Sequence, residues 1–118
     1  MIEVKFTMNP EKKLVSLHVK GHAGAKPYGY DTICSAASIL AYTLAQNIKY
    51  ADVRDALKYK PTIKLHEGNS IITCRAATDE DYSELLKIYL VIQTGYQLLA
   101  HNYPKFVALE MFGQAESA

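Results

Sequence analysis

The sequence predicts an α+β fold in the order ββαββαβ, a mostly antiparallel sheet with two helices packed on one face. Three observations carry that expectation. Short runs near the N-terminus alternate apolar and polar residues, the period of two that suits half-buried strands. Two longer stretches place apolar residues at helical spacing, and each follows a pair of strand-like runs. Strand pairs joined by short turns favour antiparallel pairing, and helices inserted between pairs then cover one sheet face.

The elements follow in order. Ile2, Val4, Phe6 and Met8 alternate with Glu3, Lys5, Thr7 and Asn9. Asn9-Pro10-Glu11-Lys12 reads as a turn. Val15, Leu17 and Val19 then alternate with Ser16, His18 and Lys20, completing a hairpin with one buried face. A glycine-containing loop runs from Gly21 to Tyr30. Ile33, Ala37, Leu40, Leu44 and Ile48 recur at helical spacing, which predicts a helix over 33–49 with Asp31 or Thr32 as N-cap. Ile63 and Leu65, a turn at His66-Glu67-Gly68-Asn69, and Ile72, Cys74 and Ala76 predict a second hairpin. Thr78-Asp79-Glu80-Asp81 has the form of a capping box, opening a long helix to about His101. Asn102 and Pro104 stop it. Phe106–Phe112 is apolar enough for a last, well-covered strand.

Length and composition set bounds. The 118 residues suit a single domain over 1–118. A chain of this size buries roughly 65% of the surface it exposes when unfolded. Thirteen basic against twelve acidic side chains give no strong field, so a dedicated nucleic-acid surface is not expected. The opening residues Met1-Ile2-Glu3-Val4-Lys5 lack the basic and apolar regions of a signal peptide. No apolar run reaches the roughly 18 residues of a membrane span. A cytoplasmic protein is expected, with Cys34 and Cys74 as free thiols.

The chemistry concentrates in Gly21-His22-Ala23-Gly24 and Gly29-Tyr30-Asp31-Thr32-Ile33-Cys34. Cys34 is expected at the second or third helical position, where unpaired amides and the macrodipole favour a thiolate. His22 is tethered by a loop rich in glycine and can be brought to the thiol as its base. The bland alternatives are a cysteine buried under the helix start and a surface histidine. Asp31 can cap the helix, accept a hydrogen bond from His22 and orient its ring, or do both. Ser38, four residues after Cys34, shares its helix face and either lines a site or bonds back to the Cys34 carbonyl. Ser35 is less well aimed. The remaining histidines lie on a polar strand face (His18), in a turn (His66) and at a helix C-terminus (His101). Zinc held by Cys34, Cys74, His22 and His66 would match no known structural spacing. The loop lacks the phosphate-cradling GxGxxG and GxxxxGK patterns. Tyr82, Tyr89, Tyr96 and Tyr103 recur every seven residues, as a row at the edge of the core or as a dimer seam.

The segment from Gly21 to Ser38, with its glycines, histidine, aspartate and cysteine, resembles the signature of the ribosomal-processing cysteine protease family, Prp. The likeness extends in length and element order over essentially the whole chain. It implies a cytoplasmic homodimer that removes the N-terminal extension of large-subunit ribosomal protein twenty-seven in Firmicutes and relatives. It implies Cys34 as nucleophile and His22 as base, with Gly21, Gly24, Asp31, Ser35 and Ser38 binding substrate or supporting the site. Ser35 stands where the family often has alanine. No metal or organic cofactor, nucleic acid or membrane is implied. On this reading backbone amides at the helix start, those of Cys34 and Ser35, hold the oxyanion. The loop, with Lys26, Pro27 and Tyr28 at its middle, closes as a lid over an extended peptide. The rival readings are a non-catalytic ribosome-associated protein and a cysteine hydrolase acting on a small molecule.

Overall fold

The first hairpin sets the sheet. In a computed structural model, which describes residues 1–22 and 30–112, β1 (Ile2–Asn9) and β2 (Leu14–Lys20) pair antiparallel, from Glu3 opposite Lys20 to Asn9 opposite Leu14. Between them the Asn9 side chain accepts from the Lys12 N–H at 3.1 Å, and Lys13 takes a positive φ of 55° to close the loop. β3 (Thr62–His66) and β4 (Asn69–Arg75) form the second hairpin, and β4 pairs antiparallel with β2. β5 (Val107–Phe112) runs parallel to β1, giving the sheet order β3-β4-β2-β1-β5. β5 is therefore an edge strand. Val107 is buried, but Met111 is 40% exposed, so the strand is less covered than its apolar sequence suggests.

Two 24-residue helices, α1 (Tyr30–Val53) and α2 (Asp79–Asn102), pack against one face of the sheet. The alternation decides which face. Val4, Phe6, Val15, Leu17, Ile72 and Cys74 point toward the helices and are buried, while Glu3, Lys5, Lys20 and Lys64 are exposed. At roughly 25 cal/mol per Å² of apolar surface removed from water, this alternation fixes the register, since a one-residue slip would invert both faces.

α1 extends beyond the predicted 33–49 at both ends. Its first turn, Tyr30-Asp31-Thr32, has no apolar periodicity to announce it. Asp31 and Thr32 therefore lie inside the helix, and neither is its N-cap. Its end is a Schellman motif without glycine. Asp55 adopts φ 60°, the Ala56 N–H donates to the Ala51 carbonyl at 2.9 Å, and the Asp55 N–H donates to the Asp52 carbonyl at 3.1 Å. Aspartate is among the few residues that visit this conformation readily, which is why no glycine marks the stop.

α2 starts as its sequence suggests. Thr78 is the N-cap and its hydroxyl oxygen accepts from the Asp81 N–H at 3.1 Å. The Asp81 carboxylate takes the Thr78 hydroxyl at 2.9 Å. The tyrosine row is neither edge nor seam for most of its length: Tyr82, Tyr89 and Tyr96 are buried, and Tyr103 is 40% exposed. Phe6 stands edge-on to Tyr89 and Tyr96, with ring centroids 4.9 and 5.6 Å apart. The hydroxyls of Tyr89 and Tyr96 find backbone partners, whereas that of Tyr82 is buried without one among the described residues. Tyr89 accepts from the Thr7 N–H at 2.9 Å and donates to the Ser16 carbonyl, and Tyr96 donates to the Ala37 carbonyl at 2.7 Å. These three bonds tie α2 to the central hairpin and to α1.

Candidate active site

One end of the sheet gathers four pieces of chain. The start of β1, the end of β2, the β3–β4 turn and the first turns of α1 meet there around a cavity of about 650 Å³. Antiparallel pairing forces this meeting, because Glu3, Lys20, Asn69 and His66 are cross-strand neighbours at that end. Among the described residues, His22, Cys34, Ser35 and Ser38 line the cavity with Gly21 and Gly68, and Ile39 and Tyr42 continue its wall along α1.

His22 enters from β2. Gly21, the residue after the strand, has φ 95°, and a Cβ there would strike the Met1 carbonyl oxygen. Its N–H donates to the Gly68 carbonyl at 2.9 Å, binding the end of β2 to the β3–β4 turn. His22 follows at once and is exposed on the cavity wall.

Cys34 enters from α1 as its fifth residue and is half-buried. This corrects the expected second or third position. In a helix beginning at Tyr30, the Cys34 and Ser35 amides are committed to the carbonyls of Tyr30 and Asp31, so they are not the free donors that the sequence suggested. The amides without an intrahelical acceptor lie one turn earlier, at Tyr30, Asp31 and Thr32. Helical Cβ atoms tilt toward the N-terminus, so the Cys34 side chain leans back over that turn.

Ser38 is half-buried, one turn along from Cys34 on the same wall, and Ser35 is exposed beside it. Gly24 and the loop centre Lys26-Pro27-Tyr28 lie outside the described residues, as does the side chain of Asp31. The other thiol is elsewhere. Cys74 faces the helices from β4, is 4% exposed, and burial pushes its pKa up from 9.0 to about 12. Among the described residues no three His, Cys, Asp or Glu side chains converge to hold a metal ion, and no helix is long and apolar enough to cross a membrane. Sequence reasoning missed Gly68, which was read only as a turn residue; the pattern of a hairpin turn carries no hint that a distant histidine rests on it.

The family model of the cysteine protease Prp matches residues 1–108. The chain belongs to the Prp family of cysteine proteases. Its fold is similar to that of SMU.848 from Streptococcus mutans, at 23% identity and a TM-score of 0.65, covering 95% of this chain and 94% of that one. It is also similar to an essential ribosomal processing protease Prp from S. aureus, solved with a substrate peptide and with a covalently linked product peptide. Each of those structures gives 22% identity and a TM-score of 0.68 over 94% of this chain and 99% of the other. At these identities the likeness is one of fold. No curated protein sequence matches the chain. Family membership makes the protein a cysteine protease, which sets aside the non-catalytic reading.

Proposed function

We propose that this Prp-family protease removes the N-terminal extension of large-subunit ribosomal protein twenty-seven during ribosome maturation, using a Cys34/His22 dyad. The observation that carries the reading is the cavity at the end of the sheet, whose wall holds the one half-exposed thiol among the described residues together with His22. The Cys34 thiolate attacks the scissile carbonyl carbon, and His22 protonates the leaving amine. His22 then takes a proton from water, which hydrolyses the thioester and frees the thiol. The first-turn amides of α1 at Tyr30, Asp31 and Thr32, which have no intrahelical acceptor, are the candidate donors to the oxyanion, in place of those of Cys34 and Ser35. Ser35, Ser38 and Gly21 border the attacked peptide, with Asp31 and Gly24 as further supporting positions. The unit acts as a single domain over 1–118, as a homodimer in the cytoplasm, with a peptide partner and no metal or organic cofactor.

The test is incubation with ribosomal protein twenty-seven carrying its N-terminal extension, followed by mass spectrometry. One new N-terminus and one released peptide are expected from the parent. Intact extended protein after incubation with the folded parent would rule out this substrate. Processing by Cys34→Ala would rule out the nucleophile.

A further inference from the structure

The histidine on the cavity wall does not reach its place through β2 alone. Its ring lies against Gly68 of the β3–β4 turn, 46 residues further along the chain. A Cβ added to Gly68 would stand 2.7 Å from His22 Nε2, 3.1 Å from Cε1 and 3.5 Å from Cδ2. Three atoms of one ring at such distances mean that the imidazole occupies the space where a side chain at 68 would begin. Real Cβ contacts essentially never fall under 3.0 Å, so a side chain at this position would force the ring out of its present place. The backbone of the same residue makes a second attachment, because its carbonyl accepts the Gly21 N–H at 2.9 Å, one residue before the histidine.

We infer that Gly68 is a positioning residue for His22. It holds the chain before the histidine by its carbonyl and admits the ring by its missing side chain. The inference rests on His22 being the base of the dyad. It assigns the β3–β4 turn a part in the chemistry, although that turn presents no group to the reacting atoms. The geometry matters because proton transfer needs the imidazole within hydrogen-bond reach of its partners. A displacement of about 1 Å can cost on the order of 10²-fold in rate.

A bland cause for the glycine must be separated from this one. Gly68 has φ 75°, which a turn alone would satisfy with glycine. Asparagine tolerates that conformation better than most residues and still brings a Cβ. Gly68→Asn thus meets the need of the turn and violates the need of the ring. In the extended-protein cleavage assay its kcat should fall about 10²-fold, with KM little changed and a thermal midpoint close to the parent's. Parent-like kcat in folded Gly68→Asn would overturn the inference.

His22→Ala in the same assay separates the two readings. Parent-like turnover there would remove His22 as base, whatever Gly68→Asn does. A crippled His22→Ala beside a fully active Gly68→Asn would remove only the seat. A measurement on the unsubstituted protein stands apart from any folding defect. Nuclear Overhauser cross-peaks are expected between the Gly68 Hα protons and the carbon-bound ring protons of His22. Their absence would overturn the inference even if both variants lost activity.

Discussion

The two cysteines divide the molecule into two chemical regions. Cys34 is half-buried on a cavity wall shared with His22, at the end of the sheet. Cys74 is in the middle of the sheet, opposite Val15 across the β2–β4 ladder, with burial holding its thiol protonated up to about 12. The side chains are the same; access and neighbours differ. A thiol enclosed by apolar groups behaves as a small hydrophobe, whereas one beside an imidazole and within reach of solvent can act as a nucleophile.

The largest effect expected from that contrast is on cleavage. Cys34→Ala should abolish processing and leave the helix intact, since alanine is the best helix former and the position lies within α1. Cys74→Ala should keep parent-like turnover at a temperature where it remains folded. The comparison breaks if the Cys74 variant is the inactive one. Alkylation gives a view that needs no substrate. Iodoacetamide at neutral pH should modify Cys34 long before Cys74, read by peptide mass spectrometry, and equal rates would mean that burial does not separate the two thiols.

The base comes next. His22→Ala should lower kcat by roughly 10²–10⁴-fold, the usual contribution of a positioned acid–base group. Substrate affinity should change much less, because the ring handles protons rather than recognition. Turnover equal to the parent's would shift the search to His18 or His66. His18 has another occupation, with its Nε2 2.8 Å from the Asn69 side-chain oxygen across the ladder.

The same contrast shows what was legible in the sequence. Cys74 sits at the parity of Ile72 and Ala76, so its place inside the core could be read from alternation alone. The two hairpins, the α2 cap and the element order could be read for the same reason, since each depends on residues within a few positions, whereas the β2–β4 and β1–β5 pairings join distant segments. The meeting of His22 with Cys34 on one cavity was suggested by a twelve-residue spacing and by a familiar motif. The error of one turn in the start of α1 came from relying on apolar periodicity where the first turn is polar, and it moved the free amides from Cys34 to Tyr30–Thr32. Gly68 was out of reach. Its contact with His22 arises only when the β2 end and the β3–β4 turn are brought side by side through β4, and no local pattern records that. The buried positions of Tyr89 and Tyr96 were equally hidden, because the backbone groups that receive their hydroxyls are distant in the chain.

A smaller effect should appear in stability. Cys74→Ala removes a buried sulfur from the packed sheet–helix interface and should cost about 1–2 kcal/mol, combining lost transfer energy with a small cavity. Urea unfolding followed by circular dichroism would read it. Cys34→Ala, at a site that is only half-buried, should cost less. Reversal of that order would mean that the cavity wall, and not the sheet core, is the better-packed region.

The smallest effect is on the pH dependence of stability, and its sign follows from the same burial. The Cys74 thiol titrates near 9.0 in an unfolded chain and near 12 in the fold. Between those values the unfolded chain has released a proton that the folded protein keeps. Stability then falls as pH rises, by the linkage between bound protons and unfolding free energy. The contribution is fully present below about pH 9 and is lost as pH climbs through about 12. Burial also raises the phenols of Tyr82, Tyr89 and Tyr96 above their ordinary value of 10.0, so they act in the same direction but begin later. Across the interval between about pH 9 and 10, comparison of the parent with Cys74→Ala separates the thiol's share from that of the phenols. Urea midpoints of the parent should decline across that interval, and those of Cys74→Ala should decline less. An identical decline in both proteins would place the alkaline sensitivity outside the buried thiol, and Cys74 would then lose its half of the contrast with Cys34.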